Sequence, residues 1–255
     1  MKLKKLLLKV KPIKYYVSGK YFFNNEHYKD VQSRTRSEKS KRPYRTEIIN
    51  FLLSMRQTDT QYLEIGVRNP NHNFNKIKST RKYSVDPGLA FEGNPVDFKM
   101  TSDEFFQRLS TNEILSNDVK FDVIFIDGLH LAQQVDKDIA NALNYIKEDG
   151  FIVLHDCNPP TEWHARENFD YANTPANRSW NGTTWKAFLK WRSNSSLNSC
   201  CIDTDWGVGI ISKAQKIGNP ITAVNPFFEF ALLDENRKEY LNLIDFETLK
   251  KRLGK

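Results

Sequence analysis

The sequence predicts an α/β fold, with a doubly wound and mostly parallel sheet of seven strands that ends in an antiparallel hairpin. Short apolar runs such as QYLEIGV and FDVIFID alternate with stretches of helical spacing, which is typical of a parallel sheet covered on both faces. A polar residue follows each run. Near the end, SCCIDTDWGVGIIS has the pattern of two strands joined by a tight turn.

The elements follow in a regular order from Tyr44. The segment TEIINFLLSM predicts a helix with a cap at Thr46, and the runs QYLEIGV, KYSVDP, DFKM, FDVIFID and FIVLHD predict five strands. Between the last two strands, LAQQVDKDIANALNYIKEDG has apolar residues at helical spacing and Gly150 as its stop. We therefore predict a catalytic domain over residues 44–255.

The chain changes character after Asp156. Residues 157–181 are rich in Pro, Asn and aromatic residues and predict a lid or substrate loop. A helix, TTWKAFLKWR, and the hairpin follow, and residues 213–255 predict a broadly helical C-terminal extension.

The composition is that of a globular protein of 255 residues, 39% hydrophobic and 27% charged, with no apolar run long enough to cross a bilayer. The formal net charge of +7 is concentrated at the N-terminus: residues 1–44 hold 13 Lys/Arg and 3 Asp/Glu, which leaves 25 and 28 for the remainder. Residues 1–43 are therefore predicted to be a basic arm. Such an arm can contact an anionic membrane or phosphates, but a solvated, partly disordered segment is the favoured interpretation.

The sequence also suggests a cellular location. The apolar stretch of MKLKKLLLKV covers only residues 6–8, which is too short for a signal peptide, and three cysteines cannot all form internal pairs. A cytoplasmic protein with reduced thiols is expected, with membrane association at the inner face left open.

Polar groups end each predicted strand: Glu64 with Gly66, Asp86, Thr101 with Ser102, Asp127 and Asp156. Ligands of doubly wound sheets bind beyond the carboxyl ends of the strands, so these groups are expected to form one site.

YLEIGV and SVDP, in this order of elements, resemble the class I S-adenosylmethionine-dependent methyltransferases over roughly residues 62–212. The resemblance implies that the cofactor S-adenosyl-L-methionine is bound by Glu64, Gly66, Asp86, Ser102 and Asp127, with Asp86 on the ribose hydroxyls. One departure is that Val-Arg-Asn-Pro-Asn follows Gly66, where the family has several further glycines.

IDGLH and IVLHD are similar to a subgroup that methylates sugar hydroxyls of polysaccharides and glycosylated natural products, in part with Mg²⁺. The resemblance implies that Asp127 and Asp156 approach a divalent metal ion, and that His130 is a catalytic base beside Asp127. A base or a hard cation suits this chemistry, because a sugar hydroxyl is a poor nucleophile at neutral pH. Structural roles are also open for these residues. Asp127 can cap the helix that begins near Leu131, Asp156 can order the long loop, and His130 can be a hydrogen-bond donor. His155 is the alternative candidate for the base.

Residues 180–185 and 203–207 also look like that subgroup. Trp180, Asn181 and Trp206 are predicted to contact a saccharide, since a tryptophan face packs on sugar C–H groups and an amide binds hydroxyls. Trp185 and Trp191 are assigned to packing.

The leading hypothesis is an O-methyltransferase for a saccharide hydroxyl in surface glycan or glycoconjugate biosynthesis. The alternatives are a methyltransferase for a small natural-product hydroxyl, an RNA-binding or RNA-modifying protein, and a fold kept for binding only. Nucleic acid is not the expected partner, because the basic residues lie outside the catalytic region and no RNA module is present.

Overall fold

The computed structural model describes residues 9–56, 59–89, 93, 95–171, 173–222 and 224–255. They include one seven-stranded sheet of order β2-β1-β3-β4-β6-β5-β7. β1, β2, β3 and β4 are parallel, β6 is antiparallel to β4 and β5, and β7 is parallel to β5. The predicted fold class is confirmed. The strands are β1 (Gln61–Ile65), β2 (Arg81–Val85), β3 (Phe121–Ile126), β4 (Ile146–Leu154), β5 (Asn198–Ile202), β6 (Val208–Ser212) and β7 (Leu243–Ile244).

Helices cover both faces of the sheet and enclose two apolar clusters. The first cluster includes the buried faces of α4, α5 and α6, and the second includes those of α3 and α8. All six residues of β3 are buried, as expected for a central strand of a parallel sheet. The helices are α1 (Lys11–Phe23), α2 (Glu26–Ser40), α3 (Arg45–Ser54), α4 (Ser102–Ser110), α5 (Ala132–Tyr145), α6 (Thr184–Arg192), α7 (Phe230–Tyr240) and α8 (Phe246–Arg252).

The predicted strand DFKM is wrong. Phe98 forms only an isolated bridge to Val85, and the Asp97 carboxylate accepts hydrogen bonds from the backbone N–H and the hydroxyl of Ser84. The segment is therefore held by this side chain and by two backbone hydrogen bonds of Phe98, to Ser84 O and from Asp86 N–H, which are too few for a strand. The seventh strand is instead β7, so the predicted C-terminal extension contributes to the sheet.

Two predicted helix limits also differ. α5 ends at Tyr145, and Gly150 lies inside β4, where a Cβ would stand 3.0 Å from the Asp122 carbonyl oxygen. α3 begins at Arg45 because Glu47 accepts a hydrogen bond from the Tyr44 N–H, whereas the Thr46 hydroxyl bonds to Asn73. The predicted hairpin is confirmed as β5 and β6.

The basic N-terminal segment contains two helices of different character. α1 has no buried residue, whereas α2 buries Val31, Thr35 and Glu38. The prediction of a solvated, partly disordered arm is therefore wrong for α2, whose polar side chains pair with residues far along the chain. Residues 1–8, which include the apolar stretch at residues 6–8, lie outside the described residues.

Residues 157–181 were predicted to be a lid or substrate loop, and much of this segment is packed against α2. His164 is fully buried between the hydroxyls of Thr35 and Thr161, at 3.1 and 2.9 Å. The Arg34 guanidinium donates to the Pro160 carbonyl. Residue 172 lies outside the described part of this loop. α2 thus fixes one side of the loop.

Two truncations test this packing. Removing residues 1–24 is expected to leave the midpoint of thermal unfolding close to that of the full chain, because α1 buries nothing. Removing residues 1–40 also deletes Val31, Thr35 and Glu38 and should lower the midpoint by several degrees, since one buried aliphatic side chain alone contributes about 1.5–3 kcal/mol. Scanning calorimetry measures both. Equal midpoints for the two truncations would show that α2 adds no stability.

No helix within the described residues combines the length and the apolar character that a membrane-spanning segment requires.

Candidate active site

The turns after β1 and β3 approach each other at the carboxyl edge of the sheet. Gly66 has φ = +88°, and a Cβ at this position would lie 2.3 Å from the carbonyl oxygen of Asp127. The Asp127 N–H donates to Ile65 O at 2.8 Å, so the two turns are tied together. Glycine is required here by both conformation and space. The single glycine of YLEIGV is therefore enough to close this turn.

Asp86 follows β2 at the same edge and is 8% exposed. Its two carboxylate oxygens accept the N–H groups of Arg68, at 2.8 Å, and Gly88, at 2.6 Å. These bonds hold the carboxylate next to the turn that carries Gly66. A fixed acceptor with free lone pairs fits the predicted role toward ribose hydroxyls.

Glu64 and Ser102 have partners inside the fold. The Glu64 carboxylate is 2% exposed and accepts the Tyr62 hydroxyl and the Asn73 amide, at 2.6 and 2.9 Å. Burial raises the pKa of Glu64 to about 7, against the effect of these hydrogen bonds. The Ser102 hydroxyl accepts from Gln134 on α5 at 3.2 Å. Direct contact of either side chain with a cofactor stays a prediction.

Asp127, His130 and Asp156 come together, as the sequence predicted, and one ligand atom from each lies within 4.8 Å of the others. His130 Nε2 is 3.4 Å from Asp127 Oδ1, and His130 Nδ1 is 3.1 Å from Asp156 Oδ2. Among the described residues, however, Nδ1 finds no partner of acceptable hydrogen-bond geometry, although it is buried. Two carboxylates and an imidazole facing one point form a donor set for a divalent cation.

The loop that follows Trp180 fixes this cluster. Asn181 is fully buried, and its amide donates to Asp156 Oδ1 at 2.8 Å and to the Trp206 carbonyl at 3.2 Å. Gly182 has φ = +61°, and a Cβ there would be 2.1 Å from the His130 carbonyl oxygen. Asn181 was predicted to contact a saccharide. Its amide nitrogen instead orients Asp156, while its Oδ1 is buried without a hydrogen-bond partner among the described residues.

Two structural interpretations can now be compared with the geometry of the site. Asp127 does not cap α5: the N-cap residue is Leu131, which has no side-chain cap, and the Ala132 N–H donates to the Thr183 hydroxyl. Asp156 has φ = +61° and does help to order the long loop through Asn181. Its Oδ2 still faces His130.

His155 lies deeper than His130 in the same site. Its Nδ1 is 3.2 Å from both Asp127 Oδ1 and Asp156 Oδ2, and its side chain is 8% exposed against 20% for His130. The Nε2 atom faces Asp205 and the guanidinium of Arg45, at 3.4 and 3.3 Å. Both ring nitrogens of each histidine face charged groups, so the two histidines differ mainly in exposure, which is greater for His130.

Arg45 and Asp205 complete the network and were not predicted as site residues. Asp205 Oδ2 accepts both the backbone N–H and the guanidinium of Arg45 at 2.9 Å, and Arg45 Nε is 3.7 Å from Asp127 Oδ2. The resemblance of residues 203–207 to the sugar-methylating subgroup was the sequence signal for Asp205, but within that segment only Trp206 was assigned to the site. Arg45 stood at a helix start with no pattern around it.

Charge in this cluster shifts several pKa values. Burial alone would raise the pKa of Asp127, but the charges of His155 and Arg45 and the bond from His130 hold it well below its usual range. Burial alone would lower the pKa of His130, but the charges of Asp156 and Asp127 outweigh it and raise the pKa. The pKa shifts therefore show that the carboxylates of this cluster are stabilised as anions by the positive charge of Arg45 and the two histidines.

The predicted saccharide-binding tryptophans differ in position. The Trp180 ring stacks on His130, with centroids 5.2 Å apart and planes at 17°, and its Nε1 donates to Arg166 O. The Trp206 ring packs near His164 at 5.6 Å, and its backbone N–H donates to the buried Glu38 carboxylate. Trp185 is 1% exposed, and Trp191 packs on the first apolar cluster. Trp180 therefore lies at the cluster and Trp206 beside it.

The sheet order, with a reversed strand next to four parallel ones, and the acidic cluster on its carboxyl edge define a class I methyltransferase fold. A family model described as a methyltransferase domain matches residues 48–157, from α3 to the end of the Asp156 turn. This match covers less than half of the 255 residues, and it shows a methyltransferase domain in that segment.

Solved structures show similar folds at low identity. The MycE methyltransferase of the mycinamycin biosynthetic pathway, in complex with Mg, SAH and mycinamycin VI, is 15% identical over 78% of this chain, with a TM-score of 0.42. This chain spans 57% of the length of that structure. An O-methyltransferase from Bacillus cereus in complex with SAH is 15% identical, covering 80% of this chain and 97% of its own, with a TM-score of 0.42. A putative caffeoyl-CoA O-methyltransferase from Staphylococcus aureus is 13% identical over 79% and 99%, with a TM-score of 0.45.

These likenesses are too distant to identify an acceptor or a metal for this chain. No curated protein matches the sequence.

Proposed function

We propose that this chain is an O-methyltransferase that transfers the methyl group of S-adenosyl-L-methionine to a saccharide hydroxyl, in surface glycan or glycoconjugate biosynthesis. The observation that carries the proposal is the convergence of Asp127, His130 and Asp156 beside the Gly66 turn. A hydroxyl must be activated before it can attack a methyl group. His130 can accept its proton, and the two carboxylates can hold a cation that lowers its pKa.

The residues present fit a divalent cation. His130 Nδ1 is buried and without a hydrogen bond among the described residues, although a carboxylate oxygen lies 3.1 Å away. Asp127 and Asp156 would hold Mg²⁺, which prefers oxygen ligands and keeps several waters. When bound, such an ion lowers the pKa of a hydroxyl that it contacts. A metal requirement is part of the proposal.

His130 is proposed to accept the proton of the acceptor hydroxyl. It is more exposed than His155, and its ring lies against Trp180. S-adenosylmethionine, when bound, supplies an electrophilic methyl group on sulfur: an O–C bond forms, the C–S bond breaks, and S-adenosylhomocysteine leaves. The remaining rate enhancement comes from holding the hydroxyl in line with that methyl group.

The saccharide part of the proposal rests on Trp180, which is half-buried next to His130. One face of the indole stacks on His130, and the Phe169 ring lies 5.2 Å from it, so the apolar face of a sugar ring would pack on the part of the indole that these two residues leave exposed. An aromatic natural-product hydroxyl would stack on the same ring, so the two acceptor classes must be separated by experiment. Trp206 is likewise half-buried, with its ring near His164, and is a second candidate for such a contact.

The test is methyl transfer from radiolabelled S-adenosylmethionine to two acceptor panels, one of mono- and oligosaccharides and one of catechol-type phenols, each with Mg²⁺ or with EDTA. We expect radiolabel to be transferred to saccharides in the presence of Mg²⁺, and this transfer to be lost with EDTA. Label only in the phenols would replace the saccharide with the second candidate. Label in neither panel, with cofactor bound, would reject both acceptor classes.

A separate prediction concerns the cofactor. Asp86→Ala is expected to weaken S-adenosylmethionine binding by about 10- to 100-fold, because it removes a charged acceptor worth roughly 1.5–3 kcal/mol. Titration calorimetry measures the change. Glu148→Ala, an exposed carboxylate at the opposite end of the sheet, is the matched control and should bind as the parent does. Unchanged affinity in a folded Asp86→Ala variant would show that Asp86 does not contact the cofactor.

A further inference from the structure

The first helix within the described residues, α1, is exposed along most of its length. None of its 13 residues is buried. The exposed fractions of its aromatic residues reach 71% for Tyr16 and 75% for Tyr21. Phe22 and Phe23 contact Tyr28 at the start of α2, yet both rings stay exposed. Single exposed apolar residues are common on proteins, but five exposed aromatic rings within one short helix are unusual.

The aromatic residues form a face. At about 100° per residue, four rings fall on one side of the helix around Gly19, and two lysines lie at the borders of that side. Gly19 has no neighbouring atom within 4 Å of the position of a Cβ, so this side is open. The rings are those of Tyr15, Tyr16, Phe22 and Phe23, and the border lysines are Lys11 and Lys20.

The charge of this segment identifies the partner. The sequence has seven lysines and no acidic residue before Glu26: Lys2, Lys4, Lys5, Lys9, Lys11, Lys14 and Lys20. A second copy of α1 would bring like charges together, which opposes self-association. An anionic lipid surface attracts each lysine near it by about 1 kcal/mol, and aromatic rings favour the headgroup level of a bilayer.

We propose that α1 binds the surface of an anionic membrane, with the aromatic face in the headgroup and acyl boundary and the lysines on anionic headgroups. α1 is joined through Asn24 and Asn25 to α2, and the buried Glu38 of α2 accepts the backbone N–H of Trp206 in the site. Membrane binding by α1 would therefore tether the domain to the lipid surface through α2, whose far end contacts the site. The proposal does not depend on the acceptor.

Co-sedimentation of the full chain with vesicles tests the proposal without turnover. Binding is expected to phosphatidylcholine vesicles with about 30% phosphatidylserine, and little to phosphatidylcholine alone or at 0.5 M salt. The triple variant K11E/K14E/K20E should bind roughly 100-fold more weakly, the equivalent of about 1 kcal/mol per lysine. Y15S/Y16S should weaken binding roughly tenfold at constant charge, because apolar area is lost from the interface.

The matched control is K216E/K238E/K251E, which changes the net charge by the same amount at three exposed lysines far along the chain. It should bind vesicles within a factor of about 3 of the parent, since none of these lysines lies on α1. Circular dichroism and thermal unfolding confirm that each variant is folded. Equal loss in both triple variants would overturn the proposal, because binding would then follow net charge alone. Tighter binding to a single-stranded RNA than to the vesicles, with Y15S/Y16S unaffected, would also overturn it.

Discussion

His130→Ala is expected to lower kcat by roughly 10²–10⁴-fold while S-adenosylmethionine binds nearly as tightly as to the parent. His130 lies among the two carboxylates and against Trp180, where the hydroxyl is proposed to bind. Removing the imidazole takes away the proton acceptor and leaves the Gly66 and Asp86 turns unchanged. Single-turnover kinetics with the labelled cofactor measure the rate, and calorimetry measures cofactor affinity.

The pH dependence gives a second readout of the same role. A base acts only when neutral, so the rate should rise with pH through the pKa of His130. Without a bound cation, burial opposes the shift, but the charges of Asp156 and Asp127 raise this pKa above its ordinary value of 6.5. A divalent cation on these carboxylates would lower the pKa again, so the rise of the rate with pH is expected at lower pH with Mg²⁺ than with EDTA. In the His130→Ala variant the rate should be low and should no longer rise with pH in this range.

The control is His72→Ala, which removes an exposed histidine from the turn region after β1 and should keep both the rate and its rise with pH. A fully active His130→Ala enzyme would contradict the proposed base. If His130→Ala is slow but its rate still rises with pH, the group that titrates is not His130. His155 is the obvious candidate, since it contacts both carboxylates.

Much of the fold could be predicted because apolar periodicity and strand-end chemistry are local signals. β3, with six buried residues followed by Asp127, was evident from FDVIFID alone. DFKM had the composition of a strand, but only Phe98 makes backbone hydrogen bonds to β2, and the Asp97 side chain accepts the Ser84 N–H. β7 has only two residues and pairs with β5 some 40 positions away, a contact that no local pattern encodes.

Site residues could be predicted from the sequence where they directly follow a strand. They could not be predicted where the site is formed by segments that are distant in the sequence. Asp127, His130 and Asp156 were found because parallel strands bring their carboxyl ends to one edge. Arg45 meets Asp205 from 160 residues away, so neither charge had a visible partner in the sequence. α2 was misjudged for the same reason. Nearly all of its residues are polar or charged, and its buried Thr35 and Glu38 are stabilised by partners beyond residue 160.

Asp156→Asn is expected to abolish a dependence of the rate on divalent cation. In the parent, EDTA should lower the methyl-transfer rate roughly 100-fold or more, and Mg²⁺ should restore it, since Lewis-acid activation is worth several kcal/mol. Asn keeps the size of the side chain and an acceptor for the Asn181 amide, but it removes the charge that faces His130. Asp127→Asn should act in the same direction. Activity at saturating cofactor, with and without chelator, measures both variants.

Asp122→Asn is the matched control, because Asp122 is a buried carboxylate at the opposite end of β3 that pairs with Lys147. It should keep the full response to Mg²⁺ even where it lowers stability.

The choice of ion also decides what His130 does. Mg²⁺ prefers oxygen ligands, which leaves the imidazole free as a base, whereas Zn²⁺ binds imidazole directly. Restoration by Mg²⁺ alone, with His130→Ala still inactive, therefore assigns the carboxylates to the cation and the histidine to the proton. Restoration by Zn²⁺ but not Mg²⁺ would make His130 a ligand and exclude it as the base. A parent enzyme indifferent to EDTA, with Asp156→Asn fully active, would reject the cation and leave Asp156 as the anchor of Asn181.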